Sequence, residues 1–274
     1  MKKVVLITGA SAGMGKEAVK LLLQEGYTVY GAARRVDKMK ELLPYGAKVL
    51  KMDVSDDDSM VSGINEIIKN EGRIDILINN AGFGAYGAVE DVHIEDARYQ
   101  LEVNLFGLAR LTQLVLPHMR KQHSGKIVNI TSIGGKMATP LGGWYHASKY
   151  AVEGLSDSLR LEVKPFGIDV ILIEPGGIKT EWQDIAMENL EKVSGHTAYQ
   201  NLTKSAININ EKGQKQLTDP VVIAKLIAKA IREKKPGIRY AAGYMTGIVL
   251  FLKRWLSDSM FDKMIMSQMS SLQR

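Results

Sequence analysis

The chain has 274 residues, of which 45% are hydrophobic and 24% are charged, a composition typical of globular rather than disordered proteins. It contains no cysteine, which excludes a disulfide framework, a zinc–thiolate site and a thiol nucleophile. The net charge of +6 comes from lysines and arginines that are spread along the chain, so we do not expect nucleic-acid binding.

The N-terminal segment MKKVVLITG has two lysines before a short apolar run, and it predicts a buried strand rather than a secretion signal. The longest uncharged segment near the C-terminus, residues 240–252, has 13 residues, whereas a membrane-spanning helix needs about 20. We therefore expect a soluble, cytoplasmic protein without a transmembrane span.

Short apolar segments alternate with segments of helical periodicity along the first 175 residues. The predicted strands are residues 4–8, 28–32, 47–52, 74–80, 125–131 and 168–174, with a last short strand at 238–242. Continuous apolar strands separated by helices are typical of a parallel sheet that is covered by helices on both faces. We therefore predict an α/β fold that forms one domain over residues 1–274.

The regular alternation ends after Pro175. Residues 176–217 contain no clear strand, and a long segment of this kind inside an α/β domain is often a lid over a site. We predict a substrate-binding lid here. A helix should follow it, because Thr218 or Asp219 can serve as N-cap and Pro220 suits a first helical turn.

The first predicted strand runs into TGASAGMG, residues 8–15, and then into a helix. Glycines at such a junction let backbone N–H groups approach a pyrophosphate, whose charge is favourable at a helix N-terminus. The spacing is GxxxGxG rather than GxGxxG. The position of the motif, more than its letters, therefore indicates dinucleotide binding.

The second predicted strand ends in YGAARRVD, residues 30–37. Dinucleotide-binding folds often carry an acidic residue here for the adenine ribose, but this chain has Ala33, followed by Arg34 and Arg35. Two guanidinium groups without a carboxylate favour the 2′-phosphate of NADP(H) over NAD(H). A solvated basic turn is the alternative.

The segment WYHASKYAVEGL, residues 144–155, contains two tyrosines and one lysine. It belongs to a predicted helix over residues 144–163, in which residues four apart share a face. Tyr145 can therefore face one site with Lys149, whereas Tyr150 and His146 are expected to point elsewhere. A free tyrosine has a pKa of about 10, which a nearby ammonium and the positive nicotinamide of an oxidised cofactor would lower.

These features together resemble the short-chain dehydrogenase/reductase family in its compact single-domain form. The motifs stand in family order: TGASAGMG (8–15), DV (53–54), NNAG (79–82), VNLFG (103–107), Ser132, YHASK (145–149) and PGGIKT (175–180). The resemblance is close over residues 1–180 and loose beyond them. It implies a Rossmann-type doubly wound sheet of about seven strands in the order 3-2-1-4-5-6-7.

The resemblance also implies catalytic roles. Tyr145 would exchange a proton with the substrate oxygen, and Lys149 would bind the nicotinamide ribose and lower the pKa of Tyr145. Ser132 would hold the substrate oxygen. Asn104 would anchor a water molecule in a proton relay behind Lys149.

The cofactor contacts that the resemblance implies come from six parts of the chain. They are Gly9, Ser11, Ala12, Gly13, Met14 and Gly15; Arg34 and Arg35; Asp53 and Val54; Asn80, Ala81 and Gly82; Tyr145 and Lys149; and Pro175, Gly176, Ile178 and Thr180. Arg34 matches the family pattern for NADP preference, although Ala12 stands where a basic residue would strengthen it. The histidines show no metal-ligand spacing, so no metal site is expected.

The C-terminal tail, residues 243–274, is rich in methionine. On a helix it would carry one stripe, formed by Met245, Ile248, Leu252, Trp255 and Ser259. We expect an amphipathic helix that closes the core or forms a subunit contact. Contact with a membrane surface, or a lid over an apolar substrate, are the alternatives. The tail loosely resembles those of hydroxysteroid and retinol dehydrogenase-like members.

The prediction is thus an NADP-dependent oxidoreductase that transfers a hydride between nicotinamide and a carbonyl or secondary alcohol. The substrate would be a small, lipophilic molecule, steroid-like, retinoid-like or other, and the protein a homodimer or homotetramer. Two rivals remain: a cofactor-binding regulator without turnover, and an epimerase or dehydratase on the same scaffold.

Overall fold

Seven parallel strands form one sheet in the computed structural model, which describes residues 2–270. In chain order they are β1 (Val4–Thr8), β2 (Thr28–Ala33), β3 (Lys48–Lys51), β4 (Ile76–Asn79), β5 (Gly125–Ile130), β6 (Ile168–Pro175) and β7 (Arg239–Ala242). Their order across the sheet is β3-β2-β1-β4-β5-β6-β7. The predicted Rossmann-type fold and its strand order are therefore confirmed.

Eleven α-helices lie within the described residues. They are α1 (Gly13–Gln24), α2 (Val36–Met39), α3 (Asp57–Glu71), α4 (Ile94–Leu101), α5 (Gly107–Lys121), α6 (Gly143–Val163), α7 (Glu181–Ser194), α8 (Gln200–Gly213), α9 (Pro220–Arg232), α10 (Thr246–Trp255) and α11 (Asp258–Ser270). Short 3-10 helices occur at Lys40–Tyr45, Ile133–Gly135, Lys164–Phe166 and Gln214–Gln216, and a π-helical turn at Glu102–Phe106 joins α4 to α5.

The strands are apolar because each lies between two helical layers. Helices α1 and α9 pack on one face of the sheet, and α3, α5 and α6 pack on the other. In β1, Val5 and Ile7 face the first layer, while Val4 and Leu6 face the second. Because all strands are parallel, their carboxyl ends meet at one edge, where the loops that follow them can form a site.

Residues 176–217 form the helical pair α7 and α8. The pair has a small apolar cluster of its own, in which Leu190 packs with Ala88 and Leu141 from the loops after β4 and β5. Its role as a lid stays a prediction. Helix α9 begins at Pro220, as predicted, because the Asp219 side chain accepts a hydrogen bond from the Val221 N–H at 2.8 Å.

The tail differs from the single amphipathic helix that the sequence suggests. It forms two helices, α10 and α11, which are separated after Trp255. The expectation that its apolar stripe closes the core is wrong, because Ile248 and Trp255 are 56% and 69% exposed. Residues 271–274 of the predicted tail lie outside the described residues. Among the described helices, none combines the length and the apolar character needed to cross a membrane.

Candidate active site

The turn between β1 and α1 is a glycine cradle that Asn80 holds in shape. Gly9 and Gly13 have φ angles of 67° and 54°, a region that side chains rarely adopt. Gly15 leaves no room for a side chain, since a Cβ atom there would lie 2.5 Å from Asn80 Nδ2. The Asn80 amide donates hydrogen bonds to the carbonyls of Thr8 and Gly9 at 3.0 and 3.2 Å. These contacts fix the backbone of the turn.

The N-terminus of α1 has no side-chain cap. Ala12 occupies the N-cap position, and its methyl group cannot accept a hydrogen bond. The first N–H groups of a helix need a partner, and an anion satisfies them well. Ser11 directly precedes Ala12. Met14, two residues after Ala12, packs against the α1–α9 layer. The cradle therefore fits the pyrophosphate of a dinucleotide, as the sequence predicts.

The end of β2 brings two arginines to the same turn. Arg35 Nη2 donates to Ser11 Oγ at 3.3 Å, and Arg34 Nη1 donates to the Tyr99 hydroxyl at 2.8 Å. Asp53, directly beyond β3, has a carboxylate oxygen 3.9 Å from Arg34 Nη1. The arginine side chains are 63% and 49% exposed, so their donors are accessible to a ligand. Tyr99 was not predicted, since it lies on α4, far away in sequence.

The loops after β3 and β4 carry other predicted cofactor residues. Val54 is buried. The Ala81 N–H donates to Thr8 Oγ1 at 3.0 Å, which ties this loop to the end of β1. Gly82 lies next to the catalytic helix, since a Cβ atom there would be 3.7 Å from Lys149 Nζ. These residues form one wall of the cleft above the cradle.

The loop after β6 lies on the opposite side of this cleft. The Gly176 N–H donates to the Ala242 carbonyl at 2.9 Å, and Ile178 is buried. Thr180 faces the cradle, because a Cβ atom on Gly13 would lie 3.0 Å from Thr180 Cγ2. The predicted cofactor residues in the loop after β6 therefore lie next to those in the turn between β1 and α1.

Ser132, Tyr145 and Lys149 converge at the carboxyl ends of β5 and β6. The Ser132 hydroxyl lies near enough to the Tyr145 hydroxyl to lower the pKa of the tyrosine, and it donates to the Pro175 carbonyl at 3.4 Å. Lys149 Nζ lies 5.8 Å from the centre of the Tyr145 ring and donates to the Ile130 carbonyl at 3.0 Å. The four-residue spacing on α6 thus brings the tyrosine and the lysine to one face.

Burial dominates the acid–base properties of both groups. It raises the pKa of the Tyr145 hydroxyl to about 12, although the hydrogen bond with Ser132 opposes this effect. It lowers the pKa of the buried Lys149 ammonium to about 8, although the Glu153 carboxylate opposes this effect. The predicted lowering of the Tyr145 pKa is therefore not produced by the protein's side chains alone. The Lys149 ammonium hydrogen-bonds a backbone carbonyl, Ile130, at 3.0 Å.

Asn104 lies in the π-helical turn between α4 and α5 and is almost completely buried. Its Nδ2 donates to the Phe83 carbonyl at 2.8 Å and to Ser148 Oγ at 3.0 Å, and its Oδ1 accepts from the Phe83 N–H at 3.0 Å. Such π-turns often occur at functional sites. Here the turn lets one amide join the loop after β4 to the catalytic helix.

An aromatic wall surrounds the Tyr145 ring. The ring centres of Tyr86 and Trp182 lie 5.7 and 5.2 Å from that of Tyr145, and 5.8 Å from each other. Burial raises the pKa of the Tyr86 hydroxyl well above its usual value. The predicted lid, residues 176–217, contains Trp182, but no local pattern in the sequence distinguishes Trp182 or Tyr86 from other aromatic residues. The wall makes the surroundings of the Tyr145 hydroxyl more apolar.

His146, which was expected to point away from the site, is buried against the loop that follows Ser132. Its Nδ1 lies 3.0 Å from the Gly134 carbonyl, and its Nε2 accepts from the Thr139 N–H at 3.0 Å. Burial lowers the pKa of the imidazole, which suits a neutral ring that donates through Nδ1. Tyr150 points outward and is 45% exposed, as predicted.

A buried charge cluster lies behind the catalytic helix. The Glu153 carboxylate lies 2.6 Å from Lys136 Nζ and 3.0 Å from Arg239 Nη2. Glu174 is also within ion-pair distance of both cations, at 3.7 and 3.3 Å, and its burial raises the pKa of its carboxyl. The cluster links α6, β6 and β7. No group of His, Asp or Glu side chains in residues 2–270 is arranged to hold a metal ion.

Comparison with known proteins gives consistent matches. A family model described as short chain dehydrogenase matches residues 3–191. The chain is 38% identical over 263 residues to 3-ketodihydrosphingosine reductase of Bacteroides thetaiotaomicron, which covers 95% of each protein. It is 37% identical over 262 residues to a probable short-chain type dehydrogenase/reductase of Helicobacter pylori, with coverage of 95% and 96%.

Solved structures give the same result. A short-chain dehydrogenase from Streptomyces avermitilis superposes with a TM-score of 0.80 at 31% identity, over 99% of this chain and 98% of that one. Structures that are 22–24% identical, which show the fold alone, include complexes with NADP and with NAD. The match to the family model and the identity to full-length relatives establish that this chain belongs to the short-chain dehydrogenase family of oxidoreductases.

Proposed function

We propose that the protein is an NADP-dependent reductase of a lipophilic ketone, which it converts to a secondary alcohol. The observation that carries this proposal is the meeting of the Ser132 and Tyr145 hydroxyls beside buried Lys149, under an aromatic wall. Nicotinamide, when bound, supplies the hydride that the carbonyl carbon receives. The protein's own residues have to bind the ketone, orient it and supply one proton.

The proton comes from Tyr145 in this proposal. Its hydroxyl donates the proton to the carbonyl oxygen while Ser132, whose hydroxyl lies near that of Tyr145, holds the same oxygen. A tyrosine whose pKa is raised by burial retains its proton until the substrate oxygen becomes basic. Lys149 stabilises the tyrosinate that results, since it is the nearest cation on the same helix face.

The proposed preference for NADP rests on the two arginines at the end of β2. Arg34 and Arg35 would bind the 2′-phosphate together with Ser11, whose hydroxyl already accepts from Arg35. Guanidinium groups bind phosphate oxygens through paired donors. The pyrophosphate would lie at the uncapped start of α1, in the cradle of Gly9 and Gly13.

The aromatic wall of Tyr86 and Trp182 supports the proposed substrate class, since it offers apolar surface next to the reacting hydroxyls. The name of the Bacteroides thetaiotaomicron relative denotes reduction of a long-chain keto lipid. We therefore propose a long-chain ketone as the substrate and reduction as the direction of the reaction.

We further propose that α10 brings this site to a lipid surface that contains anionic lipids. Ile248, Phe251 and Trp255 share one helix face and are 56–69% exposed. Lys253 and Arg254 lie beside them on the same helix. Helix α10 also packs against the 3-10 turn that follows Ser132. Apolar side chains next to cations suit a bilayer interface.

We also propose that the protein is a homodimer or homotetramer.

The reductase proposal is tested with purified protein, NADPH and a panel of ketones. The panel contains 3-ketodihydrosphingosine in detergent, a 3-ketosteroid and a short-chain ketone, and the loss of NADPH absorbance is measured. We expect the long-chain ketone to be reduced with the highest kcat/KM. Binding of NADPH without any turnover would instead support the regulator, and product isomers without net NADPH oxidation would support the epimerase.

A further inference from the structure

The first residues after the β6 loop contact three separate parts of the cleft. Thr180 faces the glycine cradle at Gly13, and Trp182 packs on the catalytic Tyr145 with ring centres 5.2 Å apart. Between them, Glu181 points to the end of β2. Three consecutive residues therefore connect the proposed pyrophosphate site, the proposed 2′-phosphate site and the catalytic tyrosine.

Glu181 forms ion pairs with two cations on the β2 side. Its carboxylate lies 3.3 Å from Arg35 Nη1 and 3.0 Å from Lys38 Nζ. The hydrogen bond with Lys38 lowers the pKa of the carboxyl, so it is ionised near neutral pH. The second terminal nitrogen of Arg35 donates to Ser11. One guanidinium thus joins the phosphate-binding turn to the first residue of α7.

A 2′-phosphate bound by Arg34 and Arg35 would therefore compete with the Glu181 carboxylate for Arg35. The phosphate carries close to two negative charges near neutral pH, whereas the carboxylate carries one. A ribose without the phosphate offers only hydroxyl groups, which are too weakly charged to displace a carboxylate from an ion pair. Replacement of the Glu181 carboxylate by the 2′-phosphate should therefore occur with NADP(H) and not with NAD(H).

We infer that Glu181 is a cofactor-specificity residue that couples the 2′-phosphate site to the catalytic tyrosine. The 2′-phosphate takes Arg35 from Glu181, and the start of α7, held less firmly, lets Trp182 move away from Tyr145. This inference rests on the proposed preference for NADP. In this inference the 2′-phosphate has two roles. It increases the affinity for the cofactor, and it opens space over the hydroxyls of Ser132 and Tyr145.

The test uses two ligands that differ only by the 2′-phosphate, adenosine 2′,5′-bisphosphate and adenosine 5′-monophosphate. Neither contains nicotinamide, so neither reaches Tyr145. Binding is measured by calorimetry at fixed ionic strength, because salt screens these contacts. The emission of Trp182 is obtained as the difference between the full chain and its Trp182→Phe variant, since the protein has 3 tryptophans.

We expect the bisphosphate to change the Trp182 emission and the monophosphate, at equal occupancy, to leave it unchanged. Glu181→Gln should show the changed emission without ligand and should bind the bisphosphate about two- to fivefold more tightly, the range expected for exposed ion pairs. Glu188→Gln is the matched control, because Glu188 is an exposed glutamate of the same helix. It should behave like the wild-type protein.

The outcomes separate this inference from the proposed function. If the wild-type protein binds both ligands equally, the proposed NADP preference is wrong, and the inference is wrong with it. If the bisphosphate binds more tightly but the Trp182 emission does not change, only the role of Glu181 is wrong. The same holds if Glu181→Gln binds it no more tightly than Glu188→Gln.

Discussion

Residues 2–180 and residues 181–270 meet at Tyr145, but they position their functional groups by different means. The first region contributes six strands, and all residues of β1 are buried. The second contributes five helices and one short strand, β7, in which no residue is fully buried. In the first region, the backbone itself forms the proposed cofactor site. In the second, individual side chains such as Trp182 define the surroundings of the reaction.

Because of this difference, substitutions in the two regions should have different effects on the enzyme. Away from Tyr86, a change in the first region should alter turnover, cofactor choice or the stability of the buried core, and leave the range of substrates intact. Away from Glu181, a change in the second should alter substrate range or surface contacts, and leave cofactor affinity intact. The four predictions that follow test this division, starting with the largest effect.

Tyr145→Phe should reduce kcat by about 10²–10⁴-fold, because it removes the proposed proton donor. Cofactor affinity, measured by fluorescence titration with NADPH, should stay close to that of the wild-type protein. Tyr150→Phe is the matched control on the same helix and should be nearly fully active, since Tyr150 is 45% exposed. An inactive Tyr150→Phe enzyme would contradict the assignment of the catalytic face of α6.

Lys149 should make the stability of the protein depend on pH. Its pKa is about 8 in the folded state, against 10.5 for an unperturbed lysine. Between these values the unfolded chain binds the extra proton, so the free energy of unfolding rises with pH. From pH 8 to pH 10 the wild-type protein should gain about 2–3 kcal/mol relative to Lys149→Met. The raised pKa of Tyr145 acts in the opposite sense only above pH 10.

Denaturant unfolding of both proteins at half-unit pH steps measures this difference. All other titrating groups are shared, so their contributions cancel in the comparison. Parallel curves for the two proteins would show that the lysine keeps an ordinary pKa, and the core of the first region would then be more polar than its burial indicates.

Arg34→Ala should reduce the preference for NADPH over NADH by about ten- to a hundredfold, since a charge-assisted contact contributes about 1.5–3 kcal/mol. The preference is the ratio of the kcat/KM values for the two cofactors at fixed ionic strength. Arg120→Ala removes an exposed arginine at the far end of α5 and is the control. The hypothesis would be refuted by a wild-type enzyme that prefers NADH.

Replacing Ile248, Phe251 and Trp255 together by serine should weaken binding to vesicles by about tenfold or more, from the apolar area lost. Vesicles of phosphatidylglycerol and phosphatidylcholine are compared by co-sedimentation. Leu161→Ser is the control, because Leu161 is 68% exposed on α6. NADPH affinity should not change. Loss of a dimer in the triple variant, without any vesicle binding by the wild-type protein, would identify this face as a subunit contact instead.

The sequence predicts the first region well because its signals are local. The apolar run at Val4–Thr8 coincides with β1 residue for residue, and Tyr145 and Lys149 share a helix face because of their spacing. Likewise, Asp219 and Pro220 mark the start of α9. In each case a few neighbouring residues determine the backbone, and tertiary contacts only preserve it.

The sequence does not predict the position of a side chain where contacts with residues distant in the chain determine it. Trp182 reaches Tyr145 from another part of the chain, and nothing in its own segment distinguishes it from other aromatic residues. His146 is adjacent to the catalytic tyrosine, but its buried position depends on the loop at Gly134. The exposure of Trp255 also follows from a break after α10, which helical periodicity alone does not reveal.

The buried charge cluster has a consequence for synthesis on the ribosome, where the chain grows from the N-terminus. Ser132, Tyr145 and Lys149 are all translated long before Arg239. Until Arg239 arrives, the buried carboxylates Glu153 and Glu174 have one shared ion-pair partner in residues 2–238, Lys136, and removing a partner from a buried charge costs several kcal/mol. The nascent chain can therefore contain Ser132, Tyr145 and Lys149 while α6 and β6 are still loosely associated. Ribosome-bound chains that end before Arg239 should then be sensitive to protease.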